Sequence, residues 1–259
     1  MDKELVIVVP TERAAYEVVE ALKALDIEGS IELYSSTVVT KEADGTVTVK
    51  DTRHLHVPWG TVLGMSTGAL LGLVGGPVGV AVGVAIGGSV GLTGDLAYTG
   101  YTGEFVYDFV SRLQPGSYAV CASVWEDWTV PVDVAVAPWS AVVMRQATEE
   151  VVANQLRADD QALKDEWAHF EVEVAQAKSD AKAKLEAQRE ALRAKQAAQR
   201  DRLRARATKL QGSWDAKIAS VKHKISVANA EAKARHQHHA EKLARFSAEQ
   251  KQAFRELFS

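Results

Sequence analysis

The side chains best spaced for chemistry are three histidines. His236, His238 and His239 fall within four residues of one another. On a helix His236 and His239 share a face, and two imidazoles placed that way can ligate a metal ion. The nearby sequence offers them only Glu241 as a carboxylate and no cysteine. A solvated helix face is therefore the favoured reading, and no metal is expected. His54 and His56 alternate on an extended segment and point the same way. A pH-sensitive pair is weighed there against an exposed strand end, which is favoured. The single cysteine, Cys121, sits in the apolar run YAVCASV and reads as a small core residue. One cysteine excludes an intramolecular disulfide. No Gly-x-Ser-x-Gly or His-Glu-x-x-His motif and no Cys/His pair suggests nucleophilic or metal-assisted catalysis. The chain is thus expected to be no enzyme, with no catalytic residue, no cofactor and no small-molecule substrate.

A glycine pattern organises the rest. Residues 58–94 read PWGTVLGMSTGALLGLVGGPVGVAVGVAIGGSVGLTG, and no charged residue occurs between Arg53 and Asp95. Glycines recur every fourth position at Gly60, Gly64, Gly68 and Gly72, then at Gly79, Gly83, Gly87 and Gly91. Residues four apart share a helix face, so each half would carry a glycine groove open to close helix contact. Gly75-Gly76-Pro77 is the expected turn between two arms, 61–74 and 78–94. At about 21–26 Å the arms fall short of the roughly 30 Å hydrocarbon core, which suits a re-entrant or oligomeric hairpin better than two clean spans. Trp59, Tyr98 and Tyr101 would mark the membrane interface. Two other readings stay open. One is a protein-buried seam between subunits. The other is a strand, because Val78, Val80, Val82, Val84 and Ile86 alternate with small residues. A phosphate-binding loop is disfavoured, because no lysine follows the glycines.

Charge divides the chain in two. Residues 1–147 hold 17 acidic and 8 basic side chains, while residues 148–259 hold 17 acidic and 22 basic ones. An acidic unit and a basic unit could attract each other within or between chains. No signal peptide is expected from MDKELVIVVPTERAAYE, which points to the cytoplasmic side of the inner membrane, or to a cytoplasmic oligomer, rather than secretion.

The first unit, 1–147, reads as α+β. LVIVV (Leu5 to Val9) is a buried strand, Thr11 caps a helix, Ile31 to Thr40 and Val47 to Asp51 are strands, and Asp44-Gly45 is the hairpin turn between them. After the glycine stretch come a helix at Gly103 to Leu113 and a strand at Tyr118 to Val124. A short helix or loop holding Pro131 and Pro138 leads to a last strand at Ala141 to Arg145. The order suggests a ferredoxin-like βαββαβ unit with the glycine hairpin inserted and one extra strand. Residues 148–259 lack proline and are rich in Ala, Glu, Lys, Gln and Arg, which predicts a long helical tail. Leu163, Trp167, Phe170 and Val174, then Leu203, Leu210, Trp214, Ile218, Val221 and Ile225, give a coiled-coil seam. Gly212-Ser213 is the expected break, if the tail folds back. The basic zone 178–224 reads first as a solvated coiled-coil face, then as a lipid-headgroup contact; nucleic acid comes last.

Four segments in this order, LVIVV-x-TERAAYEVVEALKAL, LYSSTVVTKEADGTVTVKDT, the GTxLGxxTGxLLGLxGGPVGxAVG run and LQPGSYAVCASVWEDW-x-VPVD, resemble a bacterial family of predicted membrane proteins, domain of unknown function 1269. The resemblance covers residues 3–147, and Gly75 to Gly79 with Leu113 to Gly116 are its most specific parts. It implies membrane association and assigns no catalytic residue. Together these readings suggest a self-assembling, membrane-associated protein whose partners are copies of itself and lipid. A soluble oligomeric scaffold is the alternative, and a ligand-binding sensor the lesser one.

Overall fold

The computed structural model describes residues 2–54, 101–176 and 182–258. The glycine series Gly60–Gly72 and Gly79–Gly91, the Gly75-Gly76-Pro77 turn and the anchors Trp59 and Tyr98 lie outside the described residues.

The first unit is a mixed α+β body. Its strands are β1 (Asp2–Val9), β2 (Glu32–Lys41), β3 (Val47–His54), β4 (Tyr118–Trp125) and β5 (Val142–Ala147). Its helices are α1 (Glu12–Glu28), α2 (Gly103–Arg112) and α3 (Val130–Val136), the last followed by a 3-10 turn, Ala137–Trp139. All pairings in the five-stranded sheet are antiparallel, in the order β3-β2-β4-β1-β5. Local chemistry sets the element ends as the sequence suggests. Thr11 Oγ1 accepts from Ala14 N–H at 3.2 Å, and Thr102 Oγ1 accepts from Phe105 N–H at 3.3 Å. Gly29 closes α1 at φ 73°, with Ser30 N–H bonded to the Leu25 carbonyl at 2.9 Å, a Schellman end.

One expectation about the sheet needs correction. A βαββαβ unit counted from the first strand would set the third strand beside the first. Instead β4 lies between β1 and β2, and β3 is an edge strand. The hydrophobic content of the strands explains this. β4 (YAVCASVW) is buried at seven of eight positions, whereas β3 (VTVKDTRH) carries Lys50, Asp51 and Arg53 and suits an edge.

Both faces of the sheet are covered, which is why LVIVV is apolar at successive positions rather than at alternate ones. Leu5, Ile7 and Val9 join Val120, Ala122 and Val124 under α1 and α3, packing on Val18, Leu22, Val132 and Val136. Val6 and Val8 point the other way, with Ala119 and Cys121, against Tyr101, Phe105 and Phe109 of α2 and its lead-in.

The second unit is three helices: α4 (Thr148–Gln176), α5 (Lys182–Val227) and α6 (Ala230–Phe258). The expected break at Gly212-Ser213 is not there. α5 runs through both residues, and the chain reverses at Ala228-Asn229, where Asn229 Oδ1 accepts the Ala232 N–H at 2.9 Å. An asparagine N-cap satisfies a helix start, whereas one solvent-facing glycine costs only about 1 kcal/mol and need not end a helix. α6 doubles back along α5. Trp214 meets Phe246 edge-to-face at 5.7 Å, and Lys251 pairs with Asp215 at 2.7 Å.

The expected coiled-coil seam divides between these helices. Leu163, Trp167, Phe170 and Val174 lie in α4, where the Trp167 and Phe170 rings stand 6.1 Å apart. Leu203, Leu210, Trp214, Ile218, Val221 and Ile225 lie in α5. Val221 is fully buried, and with the half-buried Ile218 and Ile225 it packs on Tyr34, Trp125 and Leu243. This stretch of seam is therefore covered within the chain, by α6 and by the sheet.

Candidate functional site

The α5–α6 pair meets the body at the corner where β1 and β2 begin and β4 ends. Asp2 and Glu32 both stand opposite Trp125 there. Those strand positions carry carboxylates on the face that the helices cover, so the contact between the units is built from charges. Asp2, Glu4, Asp26 and Glu32 are all buried, and so are Lys217, His236 and His239 from the helices.

Glu32 is the centre. Its side chain is 0% exposed, and its carboxylate accepts from Lys224 Nζ at 2.7 Å through Oε2. Through Oε1 it accepts from His236 Nδ1, with His239 Nδ1 at 3.5 Å. Lys224 also reaches Asp26 in the last turn of α1, whose Oδ1 accepts the Leu33 N–H at 2.7 Å. One ammonium thus ties α5 to both α1 and β2. Burial pushes Glu32 upward, but bonds from His236 and His239 and the charge of Lys224 outweigh it and hold the carboxyl at about 2. Asp26 goes the other way: burial raises it more than Lys224 lowers it.

Two flanking pairs extend the junction. Asp127, just past β4, meets Lys242 Nζ at 3.0 Å, His238 Nε2 at 3.6 Å and His239 Nε2 at 3.8 Å. Burial raises the Asp127 carboxyl, but Lys242 and then His239 outweigh it and lower it overall. On the other flank Lys217 pairs with Asp2 and lies 4.4 Å from the Tyr34 ring centroid, a cation–π contact. Glu4 beside them accepts from Thr148 Oγ1 at 3.1 Å, and burial pushes it to about 8 despite Lys217.

Gly29 allows the helices this close. A Cβ there would stand 3.1 Å from Arg235 Cβ and 3.2 Å from the Ala232 carbonyl of α6. Its positive φ also excludes most side chains. Arg235 donates at 3.0 Å to the Glu28 carbonyl, at the negative end of the α1 dipole.

The histidine expectation is thereby corrected. Only His238 lies on an exposed face, while His236 and His239 are 1% and 5% exposed. α6 buries Ala232, His236, His239, Leu243 and Ser247, a 4-3-4-4 stripe. That spacing was readable in the sequence and places the histidines on a seam. Their carboxylate partner, Glu32, lies more than 200 residues away, so no local motif could reveal it. Among the described residues, Glu32, His236 and His239 are the set that could hold a metal, each offering one ligand atom within 4.8 Å of the others.

Tyr101 also needs correction as an interface anchor. It is 5% exposed, stacks on Phe105 at 5.2 Å and packs in the core on the α2 face of the sheet. Cys121 is buried, as expected, and burial pushes its thiol up to about 12, which suits an inert core residue. Among the described residues no helix is long and apolar enough to cross a membrane. Compared with known proteins, the chain matches no family model, no curated protein and no solved structure. The resemblance to the membrane-protein family rests on its motifs alone.

Proposed function

We propose that the chain is a non-enzymatic, self-assembling, membrane-associated protein, in which a clamped body holds out the glycine-rich segment for contact with lipid and with other copies. The observation that carries this reading is how the flanks of the segment are held. His54 pairs with Ser35, Ser35 with Ser123, Ser123 with Glu4 and Glu4 with Gln146, one row across all five strands. On the far side Gln146 Oε1 accepts the Thr102 N–H at 3.2 Å. The described flanks, His54 on β3 and Thr102 against β5, therefore stand at one level of the sheet, at opposite edges about 19 Å apart. A run without a charged residue from 54 to 94, flanked on both sides by residues at one level of the sheet, supports an insertion that meets lipid or other copies better than a linker between domains.

In this reading the body is a ferredoxin-like unit formed by β1, α1, β2, β4, α3 and β5. The edge strand β3, the glycine segment and α2 are an insertion between its second and third strands. α4 and the N-terminal part of α5 supply a coiled-coil contact between copies. The test is vesicle flotation of the full chain, with particle mass measured without detergent. Wild type should float with anionic vesicles or run as one large particle. Gly68→Leu combined with Gly83→Leu should reduce it to a non-floating small species. An unchanged particle in the double variant would sink the glycine-contact reading.

A soluble oligomeric scaffold is the second reading. Trp128, Val130 and Val134 are 65%, 58% and 67% exposed, close in sequence to the edge strand β5. An apolar row of this kind suits an interface between subunits. A large detergent-free particle that carries no lipid would favour it.

A further inference from the structure

We propose that Glu32, His236 and His239 form a binding site for a divalent first-row transition ion of the zinc class, and that the ion pins α6 to the first residue of β2. The donor set is two imidazoles and one carboxylate, which suits zinc, cobalt or nickel and is poorly suited to calcium or magnesium. Two ligand atoms held at about 2.05 Å by a tetrahedral ion stand about 3.3 Å apart. Glu32 Oε1 and His239 Nδ1 are 3.5 Å apart, already near that spacing. His236, in hydrogen-bond contact with the same oxygen, would draw back to ligate beside it.

The surroundings match what metal-bound residues require. The second carboxylate oxygen of Glu32 is held by Lys224 at 2.7 Å, which fixes its orientation. The second nitrogen of His239 lies 3.8 Å from an Asp127 oxygen, a carboxylate that would orient the ring once it closed to hydrogen-bond distance. Because the ligands come from β2 and α6, the ion would join the two units of the chain.

The test uses the full-length, tag-free chain, stripped with chelator and titrated with zinc chloride or cobalt chloride. Wild type should retain one equivalent of zinc after desalting and show visible cobalt d–d absorption. At zinc a hundredfold above Kd, its melting temperature should rise by roughly 5–10 °C. His239→Asn should lose the retained metal, and His223→Asn, on an exposed helix face, should keep it. Retention by His239→Asn equal to wild type would overturn the proposal. So would absence of the cobalt bands in wild type, a result that does not depend on how any variant folds.

Discussion

One face of the sheet is covered twice, in two different ways. Over the half that holds Val8, Val39 and Ala119, α2 and its lead-in bring Tyr101, Phe105 and Phe109, a contact of carbon on carbon. Over the half that holds Asp2, Glu4 and Glu32, α5 and α6 bring Lys217, Lys224 and His236. Apolar burial tolerates small shifts and is insensitive to pH or salt near neutrality. Buried ion pairs are directional, cost much to desolvate and depend on protonation. The α2 half is thus built for permanence. The α5–α6 half is built for one registry.

Four substitutions test that contrast. The largest expected effect is on the apolar side. Phe109→Ala removes a fully buried ring and should cost about 4 kcal/mol, read as a lower denaturant midpoint for the whole body at any pH from 5 to 8. Glu32→Gln should cost about 3 kcal/mol, because it removes one of the two carboxylates that Lys224 pairs with and the charged acceptor of His236. Hydrogen exchange should show that loss first in α6 rather than in the strands. A uniform rise in exchange over sheet and helices would erase the distinction between the halves. Since folding lowers this carboxyl from 4.5 to about 2, its contribution is complete above about pH 4.5 and disappears as pH falls toward 2.

Glu4 has the opposite sign. Its folded value is raised to about 8, so the native state holds a proton that the unfolded chain has released above about pH 4.5. Wild type should therefore lose roughly 2 kcal/mol relative to Glu4→Gln between pH 6 and 7.5. Parallel pH profiles of the two proteins would show that Glu4 is ionised in the folded state. The smallest effect is at Gly29. Gly29→Ala should cost about 1–2 kcal/mol from the left-handed backbone. It should also raise exchange in α6, where the new methyl meets Arg235 and Ala232. A change confined to α1 would mean that the glycine serves only as a cap.

The elements of the body were legible because their signals are local. Thr11 caps the helix expected of it, Asp44-Gly45 makes its turn, and LVIVV is a doubly covered strand. Strand order was not legible. The apolar run of β4 and the charged side chains of β3 fit a central and an edge strand, but the pairing itself depends on which strand the whole core can bury. The reversal at Asn229 was legible in principle, through an asparagine followed by Glu231 in the first helical turn. Gly212 drew attention from it because glycine is a stronger stop signal in sequence than in an exposed helix.

The charge division of the chain, acidic before residue 148 and basic after it, is a property of the sequence alone, and it suggests two units that could attract each other. Which groups meet is a property of the fold. Glu32 sits on a strand, Lys224 and His236 on two helices about 200 residues on, and a Coulomb attraction has no register until backbone geometry supplies one. The 3.6-residue period of α6 and the pleat of β2 turn a net charge into a bonded cluster. That is why composition could suggest an attraction, while only the tertiary structure decided which residues meet.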